Sequence, residues 1–211
     1  MHSKHDLPDA SSSGRMNQKI RTRQAIIEAC RGLIRSGSAV SIPEVARVAL
    51  VSEATVYRYF PDLPSLVNTA IVSLWPSPAE ALAPIAHSTD PVERIAFAAE
   101  IFLRRVQAYQ GAVRAMIAAT ITQPEGPATR PKLRFDWIDE ALAPAEAMLA
   151  QTDAEAFTQL KRDLAVVVSA EALFTLTDLC GLSPDEAIST AARLARTITA
   201  AALCDGSPTL R

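Results

Sequence analysis

Helix starts are written into this chain more openly than any other feature. Ser41-Ile42-Pro43-Glu44, Asp90-Pro91-Val92-Glu93 and Ser183-Pro184-Asp185-Glu186 each set a small polar acceptor ahead of a proline and an acid. The acceptor meets first-turn amides, the proline sits where no N–H is needed, and the acid reaches back to the cap. Asp62 before Leu63-Pro64 is a fourth cap. Between caps the apolar residues recur with a helical period, and no stretch alternates as a half-buried strand must. The expectation is an all-α fold of about nine helices, over 17–36, 42–49, 53–59, 63–74, 91–110, 111–122, 133–150, 154–180 and 184–203. A further short helix is placed near 78–86, and Pro144 should kink or divide the seventh. The segment 123–132 (QPEGPATRPK) reads as a surface loop.

At 211 residues the chain can bury a sizeable core. No apolar run approaches the roughly 20 residues that span a membrane, so no membrane partner is expected. The polar, Ser-rich N-terminus (1–16) lacks the apolar segment of a signal peptide and reads as a mobile arm on a cytoplasmic protein. Cys30, Cys180 and Cys204 have no metal-type spacing and are expected as buried, reduced thiols. Charge is uneven: residues 1–66 carry +3 and the remainder −5. A basic end on an acidic body suits a nucleic-acid-binding head on a solvated regulatory domain. Outside the arm, His87 is the one histidine, and no phosphate loop, nucleophile elbow or metal-spaced set occurs. Catalysis, a metal and a cofactor are therefore not expected.

The stretch "SEATVYRYF" (52–60) sets Val56 and Phe60 at burial spacing and crowds the rest of a short helix with the donors Thr55, Tyr57, Arg58 and Tyr59. Such a surface suits an acidic polymer or a polar interface. The longer run "SIPEVARVALVSEATVYRYFPDLPSLV" resembles the DNA-binding head of the TetR family of transcriptional regulators. Ser41, Val45-Ala46, Val51-Ser52, Thr55-Val56-Tyr57, Tyr59-Phe60 and Leu66 carry the likeness, within residues 17–67. The resemblance implies an arm (1–16), a helix-turn-helix head (17–62) and a ligand-binding, dimerising body (63–211). It implies that Glu53 and Ala54 read base edges, and that Ser41, Thr55, Tyr57 and Tyr59 hold phosphates. Ser52 and Arg58 belong to the same surface, and Arg21 on the first helix can add a phosphate contact. Two positions depart from the family pattern. Leu50 stands where glycine is usual, and at positive φ it would cost about 1 kcal/mol or more. Leu63 replaces a basic residue. The first helix should turn Ile20, Ile26, Ile27, Leu33 and Ile34 toward the core.

In the body, 154–180 is apolar nearly all round from Leu164 to Leu176, which suggests burial on two sides. The last helix carries a stripe of Ile188, Ala191, Ala192, Ala195 and Ile198. With Val168 and Leu173 these residues are the expected homodimer interface, where relatives of the resembled family dimerise; the alternative is packing within one subunit. A cavity for a small, mostly apolar effector is expected among the body helices, walled by Trp75, Phe97, Ile101, Tyr109, Met116, Thr120, Trp137, Met148 and Phe174. Spacing alone does not separate such a wall from ordinary core. Glu171 and Asp178 lie on the same buried stripe and need partners, arginine or a ligand group. The expected function is a repressor that binds an inverted-repeat operator in double-stranded DNA as a dimer and is released by the effector. The alternatives are a helix-turn-helix-derived protein-interaction adaptor, or a DNA-binding regulator with no effector.

Overall fold

The computed structural model describes residues 10–72, 74–122 and 132–205, and among them all regular structure is helical. Eleven α-helices are described rather than about nine: α1 (Ala10–Arg35), α2 (Ile42–Val48), α3 (Glu53–Tyr59), α4 (Leu63–Val72), α5 (Pro78–Leu82), α6 (Pro91–Ala108), α7 (Gln110–Thr122), α8 (Leu133–Thr152), α9 (Ala154–Val167), α10 (Ala170–Phe174) and α11 (Pro184–Asp205). A 3₁₀ turn, Ala83–Ile85, follows α5, and a π turn, Thr175–Leu179, follows α10. The loop expected at 123–132 lies outside the described residues, apart from its last position.

The caps form with one recurring variation. Ser183 and Glu186 make the reciprocal box, with Ser183 N donating to Glu186 Oε2 (2.9 Å) and Glu186 N to Ser183 Oγ (3.4 Å). At α2 the Ser41 hydroxyl accepts from Glu44 N, but the Glu44 carboxylate turns to Arg47 (2.8 Å) instead of reaching back. At α6 Asp90 caps Val92 N, while Glu93 accepts from the Ser88 hydroxyl. A further box, Ser77 with Glu80, starts α5. Asp62 caps Ser65 N at 2.7 Å.

Three expectations about elements are corrected. The first helix begins at Ala10, so 10–16 is not an arm; residues 1–9 lie outside the described residues. Once Ile26, Ile27, Leu33 and Ile34 fix the helix in the core, each added turn costs little, and α1 runs on past the packing. Ile20, expected inside, is 60% exposed on that extension. The helix expected at 154–180 divides at Val168-Ser169. Val166-Val167-Val168 is a β-branched run of low helix propensity. The Ser169 hydroxyl donates to Val166 O (2.7 Å) and accepts from Ala172 N (3.0 Å), ending one helix and starting the next. The thiols differ too. Burial pushes Cys30 up to about 12, whereas Cys180 and Cys204 are exposed.

Pro144 does not divide α8. It supplies no N–H to the carbonyl four residues back, Glu140. Arg94 of α6 fills that place, donating to Glu140 O (2.8 Å) and Ala141 O (2.9 Å) from a buried position.

Packing then places the parts. α1, α2 and α3 close on Ile26, Cys30, Val45, Val56 and Phe60. α4 packs on α1 and also on α7, joining the two ends of the molecule. In the body α6 lies against α8, α11 and α5, and α9 against α8 and α11. One apolar cluster runs through both ends. Among the described residues no helix is long and apolar enough to cross a membrane.

Candidate nucleic-acid interface and body cavity

α2 ends in a Schellman turn: Val51 N donates to Ala46 O (3.0 Å) and Leu50 N to Arg47 O (3.4 Å). That turn requires a left-handed residue at its centre, and Leu50 holds it at φ 55°. The strain is therefore tolerated rather than avoided by another turn. Its side chain is 92% exposed. α1 ends in the same pair of bonds with Gly37 at φ 68°, where no Cβ resists.

α3 starts where the Ser52 hydroxyl accepts from Thr55 N (3.2 Å). Val56 is its one buried residue, followed by the buried C-cap Phe60. Ser52, Glu53, Ala54, Tyr57 and Arg58 are exposed, while Ser41, Thr55 and Tyr59 are half-buried. The structure thus brings most of the expected surface to one short helix. Two roles change in emphasis. Ser52 and Thr55 bond each other through their hydroxyls (2.9 Å), so both serve the cap. Tyr59 packs on the core and lies beneath the Arg58 guanidinium, 5.4 Å from its ring centroid. Glu53 makes no ion pair among the described residues and favours the positive N-terminus of α3. Arg21 and Lys19 stand exposed on α1, and Arg23 lies over the Phe60 ring (5.2 Å). Hydroxyls, a phenol and guanidinium groups of this kind can donate to phosphate oxygens.

In the body, a cavity of about 50 Å³ opens between the end of α4, α6, α7 and the start of α8. Trp75 and Met116 line it as expected, with Ile71, Phe102, Val106 and Val113 supplying more apolar wall. Asn68, Arg134 and Glu171 line it too, and spacing had not singled them out as cavity wall, although Glu171 was marked as an acid in need of a partner. Asn68 gave a signal, since it is a polar residue three positions before the buried Ile71 on one face of α4. Its side-chain oxygen and Trp75 Nε1 are buried without a hydrogen-bond partner among the described residues. Each such group costs roughly 1–3 kcal/mol. Arg134 donates to Glu171 (3.0 Å) and to Ala165 O (3.1 Å).

The other expected wall residues lie elsewhere. Trp137 is fully buried behind the cavity, edge-on to Phe102 (5.7 Å), which is itself edge-on to Trp75 (5.3 Å). Phe97 faces an outer groove with Ala192, Arg193 and Arg196. Ile101 packs against the core, and Tyr109 caps α6. The Thr120 hydroxyl donates to Ile117 O (2.7 Å). Phe174 lies under Arg114, 3.8 Å from its centroid, while Arg114 makes a bidentate pair with Asp178 (2.6 and 2.8 Å). That pair holds the Asp178 carboxyl below its usual range. Met148 lies outside the residues whose side chains the structure describes.

The expected dimer stripe is mostly interior. Val168, Leu173, Ile188, Ala191 and Ala195 are buried within the single chain, because α11 presses that face on α6 and α9. Ala192 and Ile198 are half-buried. The mostly apolar groove left outside is lined by Val166, Val167, Ala172, Thr175, Leu176 and Leu194, with Glu171 and the stripe residue Ala191 also on its wall. No group of three or more His, Cys, Asp or Glu among the described residues is placed to hold a metal ion. Comparison with protein-family models, curated proteins and solved structures finds no match to this chain.

Proposed function

We propose that the protein is a transcriptional regulator of TetR type, binding an inverted-repeat operator as a homodimer and released from it by a small, mostly apolar effector. One observation carries the reading. α3 is anchored by Val56, the C-cap Phe60 and the half-buried Tyr59, and turns Glu53, Ala54, Tyr57 and Arg58 outward beside a cationic α1. A helix built for the core would not leave that surface uncovered. The two short helices and their tight turn have the form of a helix-turn-helix, whose second helix enters the major groove. Tyr57, Arg58 and Arg21 take phosphates, while Glu53 and Ala54 meet base edges.

The test is DNA binding against salt and sequence. Affinity should fall steeply with salt as counterions are released. Tyr57→Phe should weaken binding roughly ten- to a hundredfold on every sequence, since a bond to a charged phosphate is worth more than a neutral one and is sequence-blind. Glu53→Ala should instead re-rank the preferred sites in a selection experiment, each lost base contact being worth about 1–3 kcal/mol. Unchanged ranking would remove Glu53 from the reading role. A protein-interaction adaptor is the second reading, favoured by the exposed aliphatics Val48 and Leu50 at the turn. Salt-insensitive, negligible DNA binding would select it.

A further inference from the structure

We propose that the cavity at the end of α4 takes a small neutral molecule with an apolar body and a single hydroxyl-type group, oriented by Trp75 Nε1–H and the Asn68 side-chain amide. The proposal rests on the regulator reading only for what binding would switch. Most of the wall is apolar, from Ile71, Phe102, Val106, Val113, Met116 and Ile117. Against it stand one donor, Trp75 Nε1, and one acceptor, the Asn68 side-chain oxygen, both buried and without a partner among the described residues. Buried polar groups are ordinarily satisfied. Two orphans lining one cavity are what a ligand with a donor and an acceptor would complete, and an alcohol or phenol carries both on one oxygen.

Charge narrows the class further. Arg134 on the wall is already paired with Glu171 at 3.0 Å and tied to Ala165 O. A carboxylate ligand would have to compete with Glu171 for that guanidinium, and an ammonium ligand with Arg134 for the carboxylate. A neutral ligand disturbs neither. Size sets the mechanical consequence. The cavity holds about 50 Å³, against roughly 150 Å³ in a cavity that admits benzene. A ligand of that size must therefore either extend through the open side or push a wall outward. Asn68 and Ile71 belong to α4, the helix that follows α3 in the chain and packs on α1.

Calorimetry on the DNA-free protein tests this with phenol and toluene, which are matched in size, and with the slightly larger anion benzoate. Phenol should bind roughly three- to tenfold more tightly than toluene, the worth of neutral hydrogen bonds in a site that needs them. Benzoate should be weakest. Trp75→Phe keeps an aromatic six-membered ring and removes the N–H with the rest of the pyrrole half, and Asn68→Leu keeps roughly the volume and removes the amide. Each should erase the phenol preference, bringing the ratio of phenol to toluene affinity to about one even where toluene affinity itself moves with the changed wall. Equal affinity for phenol and toluene in the unmodified protein, tightest binding by benzoate, or binding of none of the three would overturn the assignment. Phenol binding that leaves DNA affinity unchanged would support the site and overturn the effector role instead.

Discussion

Leu50 and Gly37 occupy the same place in the same turn, both with positive φ, and only one is a glycine. The left-handed conformation costs an ordinary residue roughly 1–2 kcal/mol. Leu50 gains little in return, because its side chain is 92% exposed. Leu50→Gly relieves that strain and gives back part of it through the freer unfolded chain, about 0.4–1 kcal/mol. The net expectation is a stabilisation of about 0.5–1 kcal/mol, read as a higher urea midpoint at unchanged slope. DNA affinity should hold, since the backbone path into α3 is the same. A destabilised variant would mean that Leu50 makes contacts that outweigh its strain. Retained stability with lost binding would instead make the side chain itself part of the interface.

Arg94 and Pro144 are coupled across two elements. Arg94→Met leaves the Glu140 carbonyl without its donor and removes the bonds to the Ala141, Ser88 and Ile85 carbonyls, and should cost about 2–4 kcal/mol. Pro144→Ala restores an N–H to the Glu140 carbonyl, so it should rescue the Arg94→Met protein by more than it stabilises the unmodified one. Urea denaturation of the four proteins gives the coupling energy, and strict additivity would deny that the arginine stands in for the missing amide. The same pair shows what the sequence makes legible. Caps are local, so Ser183, Asp90 and Asp62 announce their helices without tertiary knowledge. That α8 survives its proline depends on a guanidinium 50 positions earlier in the chain, which no local pattern encodes. The break at Val168 depends on one hydroxyl choosing the Val166 carbonyl. Phe97 was misplaced for a related reason. α6 has neighbours on several sides, so its apolar residues recur on several faces and the period cannot assign each face to a neighbour. Trp75 and Met116 do line the cavity, whereas Asn68 and Arg134 reach it through tertiary packing that no local spacing encodes.

At the scale of the whole molecule, the regulator reading needs two heads. An inverted repeat presents its half-sites to recognition helices roughly 34–36 Å apart, and one subunit carries one such helix. Most of the stripe expected to join two subunits is spent inside one, so the partner has to meet the outer groove, which only Ala191 of the stripe reaches. Val166 is 70% exposed and Leu194 38% exposed, and both line the outer groove with Val167, Ala172, Thr175 and Leu176. These residues come from α9, α10, the π turn and α11, at the opposite end of the chain from α3. Two copies meeting there would leave both α3 surfaces free. Apolar surface of this kind contributes roughly 25 cal/mol for each Å² removed from water, and a charge forced into it unpaired is strongly unfavourable. Leu194→Arg should therefore yield folded monomers with the helical content and thermal midpoint of a single subunit intact. It should also weaken operator binding far more than binding to random DNA, because only the paired half-sites need two heads. Ala195→Arg makes the contrast: Ala195 is fully buried against its own chain, so that change should unfold the body rather than separate subunits. Light scattering at micromolar concentration checks both. A Leu194→Arg protein that remains a dimer would move the interface elsewhere, and an unmodified protein that is monomeric with and without DNA would remove the dimer from the proposal.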